Sequence, residues 1–143
     1  MDVVAHLGVL VILLAAVAAS LVFGRAYSRR KQAERKSLAV RMWVNFQQTK
    51  VRSHSQGFRM LQVIQVYQRA RFGSKAIIVW CDSGLQQDTW FEGWQAMPGA
   101  YMLVRPNSGW GPHNRNPAVL YVKEASRQTW ISQETAWLAT ASA

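Results

Sequence analysis

Twenty-one residues, Val3 to Phe23, pass without a charge, and the stretch behind them is crowded with arginine and lysine. At about 1.5 Å rise per residue such a run is roughly 30 Å long as a helix, the thickness of a bilayer core. His6 is its one strongly polar member. The pattern predicts a membrane-spanning signal anchor over residues 1–24. A cleaved secretory leader competes, because Ala16-Val17-Ala18 resembles a small-residue cleavage site. Such leaders open on a positive segment, whereas this chain opens Met-Asp-Val-Val, so the anchor is the better reading. Cationic flanks stay in the cytoplasm, which predicts a single-pass protein with its N-terminus outside and its C-terminal domain cytoplasmic.

The cationic flank comprises Arg25, Arg29, Arg30, Lys31, Arg35 and Lys36, expected to contact anionic membrane lipids. Residues 25–75 hold thirteen Lys/Arg against the single acid Glu34, while residues 76–143 hold four against five acids. The formal net charge of +10 is therefore concentrated in residues 25–75 and is not a property of residues 76–143. Within the span, Ala16, Ser20 and Gly24 recur every fourth residue. Small residues at that spacing let two helices approach closely, which points to a helix-packing face and a route to homo-oligomers.

No proline or glycine break follows Gly24 as far as Arg52, so the helix is expected to continue into a basic connector over residues 25–56. Ser37, Arg41, Asn45, Gln48 and Arg52 make a polar stripe at helical period, with Leu38, Met42 and Phe46 on the other side. A strand competes here, since Leu38, Val40, Met42, Val44 and Phe46 also alternate; Trp43 on its polar side weakens it.

Gly57 opens a different regime, residues 57–143, of short apolar runs punctuated by turn residues. Strands are expected at Phe58–Tyr67, Ala76–Cys81, Asp88–Gln95, Ala100–Arg105, Ala118–Lys123 and Gln128–Ser132; at Phe58–Tyr67 a helix competes, since the glutamines at 62, 65 and 68 fit helical spacing while Val63, Ile64 and Val66 favour the strand. Turns are expected at Arg71-Phe72-Gly73-Ser74, Asp82-Ser83-Gly84 and Met97-Pro98-Gly99, with a hairpin turn at Glu124–Arg127. Pro106 to Pro117 is an irregular loop, and Ser132 to Trp137 a brief helical turn. The fold class is thus an N-terminal transmembrane helix plus a small all-β domain, an antiparallel barrel or sandwich. That order of short strands, with a brief turn before the last one, resembles an SH3-type barrel.

Ten aromatics lie between Phe72 and Trp137, six of them tryptophans. A small domain needs large side chains to fill its core, and most of these rings serve that end. Exposed survivors would form a peptide-docking surface, for which Trp110, Trp90 and Trp94 are the candidates. Trp110, in Ser-Gly-Trp-Gly-Pro, cannot be buried in a strand.

Catalytic constellations are thin. Cys81 and His113 are the one cysteine–histidine pair available for nucleophilic chemistry. Asp82, Asp88 and Glu92 could approach across a hairpin as acid–base partners. No cysteine or histidine spacing fits a metal site, and Gly109-x-Gly111 lacks the rest of a phosphate-binding loop. The chain therefore reads as a non-enzymatic adaptor or accessory protein without a cofactor, whose β domain binds another protein. A nucleic-acid binder using the basic connector is the alternative, and an enzyme with a Cys81 nucleophile is the third reading.

Overall fold

The computed structural model describes residues 3–106 and 118–141, with side chains described at 20 and from 23 onward. Two compact units divide the chain, Met1–Leu38 and Ala39–Ala143. The order of elements is α1 (Val3–His54), β1 (Arg59–Ala70), β2 (Gly73–Trp80), β3 (Gln86–Glu92), β4 (Tyr101–Val104), β5 (Leu120–Lys123), a 3-10 turn (Glu124–Ser126), β6 (Arg127–Ile131) and α2 (Gln133–Thr140).

The anchor expected at 1–24 is overturned. Among the described residues no helix is long and apolar enough to cross a membrane. From Phe23 to Leu38 the described side chains of α1 are all exposed and include Arg25, Arg29, Arg30, Lys31, Glu34, Arg35 and Lys36, so that part of the helix offers no apolar stretch of bilayer length. The signal anchor, the single-pass topology, the outward N-terminus and the cytoplasmic placement of the C-terminal domain fall with it.

α1 runs for 52 residues because nothing in it breaks a helix. Its hydroxyls fold back on the preceding turn: Ser28 donates to the Gly24 carbonyl and Thr49 to the Asn45 carbonyl. It ends in a Schellman motif. The Phe58 N–H reaches the Ser53 carbonyl at 3.2 Å and the Gly57 N–H the His54 carbonyl at 3.1 Å, and Gly57 takes the left-handed conformation (φ 78°) this requires. Arg52 and His54 in the last turn suit the negative end of the helix dipole.

In the unit Ala39–Ala143, the face that α1 buries differs from the one the sequence suggests. Ala39, Phe46 and Ser53 are buried and Trp43 half-buried, whereas Leu38 and Met42 are 53% and 44% exposed. Phe46 packs with Leu103 and Ile131, bordered by Trp43, Met60 and Tyr101. Ser53 tolerates burial because its hydroxyl donates to the Thr49 carbonyl at 2.7 Å.

The strands form one six-stranded sheet in the order β5-β3-β2-β1-β4-β6. The SH3-like, all-antiparallel expectation is corrected here: β3 and β5 pair in parallel, Thr89 opposite Leu120 and Glu92 opposite Lys123. The physical cause is the long connection between β4 and β5. A tight turn can only return a chain antiparallel, whereas a long crossover can carry it to the far border in the same direction as β3. The expected hairpin at Glu124–Arg127 is also corrected. That segment is a 3-10 turn whose flanking strands never pair with each other; it carries the chain from one border of the sheet to the opposite one. Because the two border strands are consecutive in sequence, the sheet must curl until they nearly meet.

Inside the curl lie Leu61 and Val63 of β1, Ala76, Ile78 and Trp80 of β2, Phe91 of β3, Met102 and Val104 of β4, and Leu120 and Val122 of β5. β4 is buried on both faces, with Met102 and Val104 inward and Leu103 toward α1, so it reads as an unbroken apolar run. Phe91 has no exposed surface and meets Trp94 edge-on at 4.8 Å between ring centroids.

Candidate binding groove

Three aromatic rings from three elements line one groove on the outside of the curled sheet. Trp43 comes from α1, Tyr101 from β4 and Trp137 from α2, and the volume they enclose with Gln62, Gln133, Glu134, Ala136 and Thr140 is about 490 Å³. Each ring is held differently. Trp43 stacks on Phe46 (5.9 Å, 13° between planes) and meets Tyr101 edge-on (5.9 Å, 74°). Burial pushes the Tyr101 phenol upward, so it stays a neutral donor throughout the physiological range. Trp137 stands free, 64% exposed, on a helix seated by the buried Ala136.

α2 forms where it does because Ser132 caps it. The Ser132 hydroxyl accepts the Thr135 N–H at 3.2 Å and lies 2.8 Å from the Thr135 hydroxyl. Gln133, the first residue of α2, lies against Gly99. A Cβ at Gly99 would collide with the Gln133 side chain, and the Gly99 backbone (φ 75°) already disfavours any other residue. The Met97-Pro98-Gly99 turn thus fixes one rim of the groove.

The backbone under the groove is already used. Gln62 of β1 sits between Val79 of β2 and Tyr101 of β4, and Tyr101 in turn opposes Ile131 of β6. A molecule lying here finds rings, side-chain amides and the carboxylate of Glu134, but no open strand edge.

The residues singled out from sequence are dispersed. Trp90 is half-buried on β3, with Tyr121 beside it on β5. Trp94 follows β3, packs on the core beneath Arg127 (4.7 Å from ring centroid to guanidinium carbon) and keeps a buried indole N–H without a partner among the described residues. Neither lines the groove. Trp110 and His113 lie outside the described residues. Arg25, Arg29, Arg30, Lys31, Arg35 and Lys36 are exposed along α1. Of the small-residue face, Gly24 has open space around it, Ser20 is exposed, and the side chain of Ala16 lies outside the described part.

The carboxylates have separate tasks. Asp82 takes two hydrogen bonds of 2.7 Å from Arg59, whose guanidinium also lies over the Trp80 ring at 4.3 Å. That guanidinium holds the Asp82 carboxyl down at about 2. Asp88 accepts the Tyr67 hydroxyl at 2.6 Å, and Glu92 buries one oxygen with no partner among the described residues. Burial pushes the Cys81 thiol up, the reverse of what an activated thiolate needs. Among the described residues no three His, Cys, Asp or Glu side chains gather as metal ligands.

Trp43, Tyr101 and Trp137 escaped the sequence reading because no spacing joins them; the fold alone brings residues of α1, β4 and α2 together. One signal was available. Trp43 defied the strand alternation around it, as a ring does when it belongs to the packed face of a helix. No family model, curated protein or solved structure matches the chain.

Proposed function

We propose that this protein is a non-enzymatic binding module whose groove takes an extended, proline-rich segment of another protein. The observation that carries the reading is the convergence of Trp43, Tyr101 and Trp137 on one groove, with Trp137 left largely open to solvent. A strand-like ligand needs an unpaired sheet edge, and none lies under these rings. A polyproline helix needs no backbone partner, is pre-set before binding and packs its rings on aromatic walls. Gln62 and Gln133 supply hydrogen-bonding amides for its carbonyls, and Glu134 favours a lysine or arginine beside the proline run.

The test is titration of the intact chain with arrayed twelve-residue peptides, half carrying Pro-x-x-Pro beside a basic residue and half with those prolines replaced by alanine. Saturable binding of the first set alone is expected. Trp137→Ala should weaken it about thirtyfold, the roughly 2 kcal/mol of a central aromatic contact, while Trp130→Ala on β6 leaves it intact. Binding that ignores the prolines, or that survives loss of Trp137, refutes the proposal.

A further inference from the structure

The stretch of α1 from Arg25 to Lys36 carries a load that no ion pair among the described residues relieves. Arg25, Arg29, Arg30, Lys31, Arg35 and Lys36 fall within twelve residues, and Glu34 is the one acid among them. All are exposed. Among the described residues none of the six forms an ion pair; Lys31 alone has a partner, the Tyr27 ring at 4.9 Å. Arg25/Arg29 and Lys31/Arg35 stand four apart on the helix, where like charges repel by a few tenths of a kcal/mol per pair. A segment that stays helical against such repulsion is shaped to meet counter-charge.

The placement of these charges selects the kind of counter-charge. With about 100° between successive residues, Lys31, Arg35, Arg25, Lys36 and Arg29 share one arc of about 160°. The remaining arc carries Ala26, Tyr27, Arg30, Ala33, Glu34 and Ser37. A helix that beds into a lipid surface needs an apolar face opposite its cations, and Arg30 and Glu34 occupy that side. A second copy of this helix would bring more positive charge against positive charge.

We infer that residues 25–36 of α1 are a docking surface for duplex DNA, bound through its phosphates. The distance from Arg25 to Lys36 is about 16 Å along the helix axis, or some five base pairs of B-form duplex. The major groove of that duplex admits an α-helix, and a cationic arc of this width meets phosphates on both of its walls. The deep, narrow major groove of duplex RNA does not admit it. No base-reading pattern accompanies the cations, so the binding is insensitive to sequence.

The experiment is fluorescence anisotropy of a labelled 20-bp DNA duplex with the intact chain across a range of NaCl concentrations. Five to six phosphate contacts give a slope of log K against log salt of roughly −5. Replacing Arg29, Arg35 and Lys36 together by glutamine should bring the slope to roughly −2, with helicity by circular dichroism unchanged because glutamine is a good helix former. The matching triple change at the β1–β2 end of the sheet, Arg69→Gln with Arg71→Gln in the turn and Lys75→Gln, should leave the slope alone. Four results overturn the inference: no binding at 50 mM salt, a slope unmoved by the helix triple, a slope moved by the sheet triple instead, or a duplex RNA bound as tightly as DNA. Vesicles of phosphatidylserine and phosphatidylcholine form a further arm, and capture by vesicles without any DNA binding overturns it too.

Discussion

Phe46→Ala is the substitution on which the account of the Ala39–Ala143 unit is most exposed. Phe46 is 3% exposed and, among the described residues, is the one large hydrophobic side chain of α1 that is buried; it meets Leu103, with no exposed surface, and Ile131, at 2%. Truncating a buried phenylalanine costs about 3–5 kcal/mol, the lower end applying where neighbours can settle into the gap. Trp43 stacks on Phe46 and is only half-buried, so it can settle, and about 3 kcal/mol is the expected loss. For a unit of this length that lowers the melting temperature by roughly 12–24 °C. The transition is best followed by near-ultraviolet circular dichroism and tryptophan emission, which report the sheet and its rings, since α1 dominates the far-ultraviolet signal. Leu38→Ala and Met42→Ala serve as internal controls, because a reading of the sequence puts them on the same side as Phe46 while the structure exposes them. Each should change stability by no more than about 0.5 kcal/mol. If Phe46→Ala is equally mild, or if Leu38 or Met42 proves as costly as Phe46, then α1 does not lie on the sheet as described and the groove walled by Trp43 loses one side.

Gly99→Ala should displace Gln133 and strain the turn at once, so peptide binding falls several-fold; undiminished binding would show that Gln133 is no part of the rim. Asp82 gives a pH-dependent difference. Its carboxyl is held at about 2 when folded against an ordinary value near 3.9, so the Arg59 pairing contributes above pH 4 and is lost as pH falls toward 2. Both partners are partly exposed, which keeps the contribution below about 1 kcal/mol. Denaturant melts of the native chain and Asp82→Asn should therefore differ at pH 6 and converge as the pH falls to about 2 and below; a gap that widens with acid contradicts the assignment.

Local chemistry explains which parts of this fold can be read from the residues. The apolar run ending at Trp80 and the Asp82-Ser83-Gly84 turn mark β2 and its end by themselves, as Met97-Pro98-Gly99 marks the start of β4 and Ser132 the start of α2. Strand borders shift by one to three residues: Gly73 and Ser74, turn-like in composition, belong to β2. What escapes is everything set by distance along the chain. The pairing of Thr89 with Leu120 leaves no trace near either residue, and without it Glu124–Arg127 looks like any hairpin turn. Apolarity ranks Leu38 and Met42 above Ala39 and so points to the wrong face of α1, whereas the close approach of helix to sheet selects the smaller residue. Val3 to Phe23 shows the limit of a composition argument, for an uncharged run states what a segment would prefer and not where the chain places it. For the groove, one tryptophan per element carries no periodicity to detect.

The parallel junction between β3 and β5 also governs when this protein can become itself during synthesis. Every pairing up to β4 is available once Val104 has emerged from the ribosome, but both borders of the unfinished sheet stay naked until Leu120 to Ile131 arrive. For that interval the nascent chain offers two unpaired strand edges and an uncapped interior to any neighbour, the situation in which chains stick to one another. The nine residues of β5 and β6 thus act as the clasp, and a premature stop ahead of Leu120 would deliver a sheet with nothing to shut it.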